Sequence, residues 1–224
     1  MIEPIPFVND IDAQLFINFS RSVSISILNK YNQEISIKTS YQDPIEIIIP
    51  RDINLIVSLM LEQNVTDQSM IFNYHQYQLQ MNYSIHFEFQ SLNSNLSYLL
   101  VYQFDRVSSK SHINGWTTFC STKNKTTIDD IFQFYLDNNQ TFNRRTITFG
   151  IRELTSKETE EYCQNQIFNL PVINTKIIFT SNYKLRSYLA SCFYLHSNNK
   201  WQSDGLPVGP QTNHYQTHCL STHL

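Results

Sequence analysis

Three histidines, one cysteine and one serine crowd the stretch NHYQTHCLSTHL, residues 213–224. His214, His218 and Cys219 are residue types that bind zinc, and the His214–His218 spacing suits a helix, where both rings share a face. This stretch instead follows the turn DGLPVGP and reads as extended, which sets the two rings too far apart. A bridged Cys219 is also lost as a ligand. The expectation is therefore no metal and no cofactor. Ser203 and Ser221 lack the surroundings of a nucleophile elbow. Asp204 and the pair Asp129–Asp130 read as solvated carboxylates. His223 remains. Its imidazole titrates at about 6.5 when unperturbed, so it can take a proton from a hydroxyl at physiological pH.

The elements that must position these residues read mainly as strands. Polar and apolar residues alternate in SVSISILNKYNQEISIKTSYQDPIEIIIP (22–50) and in YSIHFEFQS (83–91). The second places Ile85, Phe87 and Phe89 on one face and Ser84, His86, Glu88 and Gln90 on the other. LSYLLVYQF, RRTITFGIREL and TKIIFTSNYKLRSYLASCFYL add β-branched and aromatic segments. Helix signals are few. In TSKETEEYCQNQ, Thr155 as N-cap and Glu158 three residues on have the spacing of a capping box. TTIDDIFQFYLDNN carries both periods, and we expect a short helix or an irregular loop there. With only 4 glycines, the turns must rely on Asn, Asp and Ser. The resulting expectation is an all-β fold, a two-layer antiparallel β-sandwich with one or two short helices, over residues 41–224. Residues 1–40 are unassigned, with the first strands of the sandwich as one reading.

Composition excludes several classes. At 224 residues and 41% hydrophobic content the chain can build a sizeable core, and a net charge of −3 gives no electrostatic case for nucleic acid. No apolar run reaches the roughly 18 residues of a membrane helix, so no direct membrane insertion is expected. The opening MIEPIPFVND lacks a basic and an apolar region, so it is not a signal peptide. The chain then reads as cytosolic or as a piece of a larger protein. Its 4 cysteines permit two disulfides. Alternation puts Cys192 and Cys219 on adjacent strands, and bridging them closes a loop of roughly 27 residues, worth about 3–4 kcal/mol in the chain-entropy model. Pairing Cys120 with Cys163 rests on the even count and a secretory context. Asn18, Asn64, Asn82, Asn95, Asn124 and Asn139 each lead an N-x-[S/T] triplet, a modest excess over chance in so Asn-, Ser- and Thr-rich a chain.

The last 33 residues, CFYLHSNNKWQSDGLPVGPQTNHYQTHCLSTHL, carry a resemblance. Cys192, Phe193, Tyr194, Trp201, Gly205, Cys219, His223 and Leu224 fall in order on the GPS motif, the proteolysis site of GAIN domains in adhesion receptors and polycystin-1-like proteins. Two positions depart. Leu206 stands where a cysteine follows the glycine, and Ser221 replaces the second cysteine of Cys-x-Cys. Both members of one bridge are thus lost together and the other bridge stays whole, as in polycystin-type versions of the motif. PIEIIIPRD and FGIREL…EEYCQNQ also resemble that family. The likeness is specific over 145–224 and looser back to residue 40.

The resemblance implies a function. In this family the bond after His-Leu breaks by self-cleavage: the hydroxyl of a following Thr or Ser attacks the Leu carbonyl, the amide shifts to an ester, and water hydrolyses it. His223 would be the base and Leu224 the acyl donor, and the nucleophile lies outside these residues. The chain is then no turnover enzyme, at most one side of a single-turnover reaction. Trp201 would pack on the Cys192–Cys219 bridge. The expected setting is the extracellular face of the plasma or ciliary membrane, as part of a multi-pass glycoprotein. The expected partners are the downstream strand and transmembrane part of the same parent and a polycystin-2-like, calcium-permeable channel subunit. With the downstream strand gone, an apolar slot is expected beside the His223 strand. The alternatives are the GAIN domain of an adhesion G-protein-coupled receptor, against which the missing cysteine pair argues, and a non-cleaving secreted binding module.

Overall fold

Period-two patterning dominates the chain, and strands dominate its structure. The computed structural model describes residues 2–3, 22–23, 25, 28–33, 35–51, 59–79, 83–105, 113–121, 131–165, 169, 175–196 and 199–223. The strands are β1 (Ile2–Glu3), β2 (Ser22–Val23), β3 (Ile45–Pro50), β4 (Leu61–Gln63), β5 (Ser69–Met70), β6 (Asn73–Gln78), β7 (Ser84–Ser91) and β8 (Tyr98–Phe104). They continue as β9 (Gly115–Phe119), β10 (Ile131–Leu136), β11 (Thr146–Glu153), β12 (Ile177–Ile178), β13 (Tyr183–Ala190), β14 (Tyr194–Leu195), β15 (Trp201–Gln202) and β16 (Gln216–Ser221). Two four-stranded antiparallel sheets, β10–β7–β13–β4 and β6–β11–β8–β9, form the sandwich.

The core between the sheets is aromatic. Ile85, Phe87 and Phe89 of β7 face Ile147, Phe149 and Ile151 of β11 and Tyr98 and Leu100 of β8. The Phe87 and Phe149 rings lie 4.7 Å apart across the layers, as do Phe89 and Tyr98. Tyr183 is fully buried, and a buried phenol needs a polar partner. Its hydroxyl accepts from Asn73 Nδ2 at 2.7 Å and meets His75 Nε2 at 2.9 Å, which ties β13 to β6. Outside the second sheet, Phe72, Leu99, Val101 and Leu154 form a smaller cluster with Trp116 and Cys163. The Cys120–Cys163 bridge closes that side.

The capping box forms. Helix α1 (Ser156–Thr159) starts at Thr155, whose hydroxyl accepts from the Glu158 N–H, while the Glu158 carboxylate accepts from the Thr155 N–H. A π-helical turn (Glu160–Gln164) follows and carries Cys163. The expectation of a helix or loop over 126–139 is corrected at β10. There Phe132, Phe134 and Leu136 turn to the core, and the full length of the strand pairs with β7. A partner strand far off in sequence selected the two-residue period over the helical one. Among the described residues of the long alternation over 22–50, strands stand only at its two ends. Between them stand single bridges, Lys38 to His223 and Ser40 to Asp43.

A third layer covers the first sheet. The β3–β16 pair, with the loop leading into β16, lies over the outer face of β7 and β13.

Candidate functional site

β16 is held on both sides. Its whole length pairs with β3, from Gln216 opposite Pro50 to Ser221 opposite Ile45. On its other side residues 205–209 run antiparallel: Gly209 N–H donates to the His218 carbonyl at 2.8 Å, Leu220 N–H to Pro207 at 2.9 Å and Thr222 N–H to Gly205 at 2.9 Å. Val208 stands opposite Cys219 in this ladder, and the same register sets Leu206 opposite Ser221. The expected slot beside the His223 strand is therefore corrected, because both backbone edges of β16 already have partners. A cleft of about 10 Å³, room for one water, lies under the loop leading into β16, among His86, Glu88, Tyr135, Tyr188, Pro210 and Thr212.

The Cys192–Cys219 bridge forms as expected, with Cα atoms 5.8 Å apart. Ala190, Leu206 and Val208 bury it, with Ile47, Ile49 and Tyr194 packed against them. Trp201 does not cover the bridge. It is 36% exposed on β15, opposite Leu195, which is itself exposed. Leu206 takes the place by the bridge that the sequence assigned to the tryptophan. Phe193 packs edge-on against Tyr83.

His223 lies where three motif positions converge. Its ring meets the Tyr194 ring edge-on at 4.8 Å. Gly205 backs it: a Cβ there would stand 2.6 Å from Thr222 Oγ1 and 2.9 Å from His223 Nδ1, and the backbone at Gly205 has φ +70°. A side chain at 205 would both strain the backbone and displace the imidazole. Thr222 Oγ1 donates to the Gly205 carbonyl at 3.2 Å and lies 3.4 Å from His223 Nδ1. Ser221, buried, folds the chain end: its hydroxyl donates to the His223 carbonyl and accepts from the His223 N–H. Ser221 thus shapes the turn, a role that no sequence pattern signals. Leu224 lies outside the described residues.

The other two histidines point elsewhere. His218 is 1% exposed, its ring against the bare Gly209 and its Nδ1 accepting from Gln211 N–H at 3.3 Å. His214 reaches into a buried polar cluster on the outer face of the first sheet. Glu88, 1% exposed, accepts from Arg186 Nε at 2.9 Å and Tyr188 at 3.0 Å, and lies 3.2 Å from His214 Nδ1. Burial alone would raise the Glu88 carboxyl, but the hydrogen bond and charge of Arg186, with His214, hold it below its ordinary 4.5. Beside it His86 is stacked between Tyr135 and Tyr188, at 5.5 and 5.3 Å. Burial, aided by the Arg51 charge, pushes His86 down to about 3, so it is neutral. The sequence assigned this face of β7 its polar residues but no cover.

Asn64, Asn95 and Asn139 are all exposed. Asn18, Asn82 and Asn124 lie outside the described residues. The two disulfides fit an extracellular or secreted environment. Among the described residues no helix is long and apolar enough to cross a membrane. Compared with known family models, curated proteins and solved structures, the chain matches none.

Proposed function

We propose that residues 41–224 are the membrane-proximal GAIN-type sandwich of a polycystin-1-like multi-pass membrane protein, with 192–224 as its GPS motif. The observation that carries this reading is the pairing of Leu206 with Ser221. These are the two positions where the motif's second bridge would stand, and the ladder sets them opposite one another beside the Cys192–Cys219 bridge. In this reading the Leu206–Ser221 pair stands where that cystine would. The convergence of Gly205, Tyr194 and His223 supports the same reading.

In this reading the hydroxyl of a Thr or Ser following Leu224 attacks the Leu224 carbonyl carbon. His223 takes the hydroxyl proton and returns it to the departing amide nitrogen. Water then hydrolyses the ester. The downstream strand stays non-covalently bound. Since His223 bridges Lys38 antiparallel and Thr39 N–H donates to the Thr222 carbonyl at 2.8 Å, a continuing strand runs next along Ser36 and Ile35. That assembly stands on the extracellular face of the plasma or ciliary membrane, with a polycystin-2-like channel subunit as partner.

The test is expression with the native downstream residues in a secretory cell line, beside His223→Ala, on a reducing denaturing gel. Two bands that merge into one in the variant support self-cleavage with His223 as base. One uncut band in both, from folded secreted protein, overturns cleavage and leaves a non-cleaving binding module.

A further inference from the structure

β10 and β4 end the first sheet on its two sides. β10 reads IFQFYL, six residues with no charge and no proline, four of them β-branched or aromatic. Such a segment on an open edge pairs readily with its own copies. β4 exposes Leu61, and the exposed Leu59 precedes it. Its one charge, Glu62, is engaged by Asn182 Nδ2 at 3.0 Å. The nearest charge past β10, Asp137, accepts the N–H groups of Asn139 and Gln140 within its own turn. Both strands pair in unbroken register, so no bulge twists either edge away.

Each of these edges ends in an N-x-[S/T] triplet. Asn64 directly follows β4, and Asn139 sits in the turn three residues past β10. Both are exposed. The Asn64 carboxamide oxygen accepts from Asn182 at 3.3 Å, a bond that leaves its nitrogen unused. Asn95 is equally exposed but lies in the turn from β7 to β8, each an inner strand of its sheet.

We propose that N-linked glycans on Asn64 and Asn139 cap the two edges of the first sheet and keep the sandwich from pairing edge to edge. This rests on the extracytoplasmic part of the reading above and not on cleavage. In the transfer, the asparagine Nδ2 bonds to the anomeric carbon of a lipid-diphosphate-linked oligosaccharide. The anomeric C–O bond breaks, the lipid diphosphate leaves with the electron pair, and Nδ2 gives up one proton. β4 spans about 10 Å and β10 about 20 Å at the usual rise of a strand, so a branched oligosaccharide rooted at the end of either overhangs an outer edge that pairs with no strand among the described residues.

The experiment uses the full chain secreted from a eukaryotic line. Site occupancy is read by glycopeptide mass spectrometry and size by light scattering on a gel-filtration column. Glycans are then trimmed from the folded protein with an endoglycosidase, which avoids any folding defect of a variant. Both sites are expected to be occupied, and trimming is expected to convert monomer into dimer and larger species. Asn64→Gln with Asn139→Gln should do the same, Asn95→Gln should stay monomeric, and Gln133→Lys added to the double variant should block the β10 edge and remove the species larger than a dimer. Occupancy at Asn95 without Asn64 and Asn139 would overturn the edge role and leave the extracytoplasmic reading standing. Occupancy nowhere would sink both. Occupied sites whose trimming leaves a monomer would overturn the edge role alone.

Discussion

The two faces of β7 are buried to the same degree by opposite means. Phe87 and Phe89 are 1% and 0% exposed against apolar and aromatic side chains of the other sheet, while His86 and Glu88 are 3% and 1% exposed beneath the C-terminal ribbon. The first face is held by area and packing, which have no direction and do not titrate. The second is held by hydrogen bonds and one ion pair, which need their exact partners and answer to pH. The difference shows how the molecule divides its labour. The sandwich is the platform, and the layer that carries His223 is fastened to it by the Cys192–Cys219 bridge and its apolar cluster, with His214 reaching down to Glu88.

The largest effect should come from the apolar face. Phe89→Ala is expected to lower unfolding free energy by about 3–5 kcal/mol, equally at pH 7.5 and pH 5, in urea titrations. A loss under about 1 kcal/mol would mean that the aromatic core is not tightly packed there. On the polar face Glu88→Gln should cost about 2–4 kcal/mol at pH 7.5, because it leaves Arg186 without its counter-charge. Its native carboxyl titrates below 4.5, so the stabilisation is full above that value and disappears as pH falls through the lower native one. Wild type and variant should therefore converge in acid, and a constant gap would break the contrast between the faces.

His86 sharpens the comparison further. It titrates at about 3 when folded and 6.5 when not, so below pH 6.5 the unfolded chain binds a proton that the native chain refuses. Stability should fall with pH over that window, by about 2 kcal/mol between 6.5 and 5. Thermal melts of His86→Gln should show a flatter pH profile, and an unchanged slope would assign the acid sensitivity to other groups, such as His75, pushed down to about 4 by burial. The smallest effect is local. Gly205→Ala should cost about 1–2 kcal/mol through its positive φ. In the cleavage assay it should also slow the reaction by shifting His223, and full-speed cleavage would detach the glycine from the site.

Much of this was legible beforehand because the signals were local. β7, β8, β11 and β13 announce themselves by alternation and β-branched content, and the Thr155–Glu158 box by its spacing. β6, reading NYHQYQ, was missed: its alternation is between half-buried and exposed polar or aromatic residues, which a hydrophobicity pattern cannot separate. In β10 two periods coexist, and only the pairing with β7 selects the strand. Trp201 was placed over the bridge on motif grounds, whereas Leu206 and Val208 already fill that volume. His86 and Glu88 looked like a solvent face, since nothing in an alternating strand says whether a third layer will cover its polar side.

The sequence by itself determined that the segments of β7, β8, β11 and β13 would be strands, that Thr155 and Glu158 would cap a helix and that Cys192 and Cys219 could pair. These depend on near-neighbour chemistry: side-chain period, turn residues and spacing. Only the tertiary structure decided that Leu206 faces Ser221, that Tyr194 and Gly205 enclose His223, and that the loop leading into β16 closes over Glu88. Those contacts join residues from about 15 to more than 120 positions apart, and their register is set by which strands find one another, a choice that near-neighbour preferences leave open.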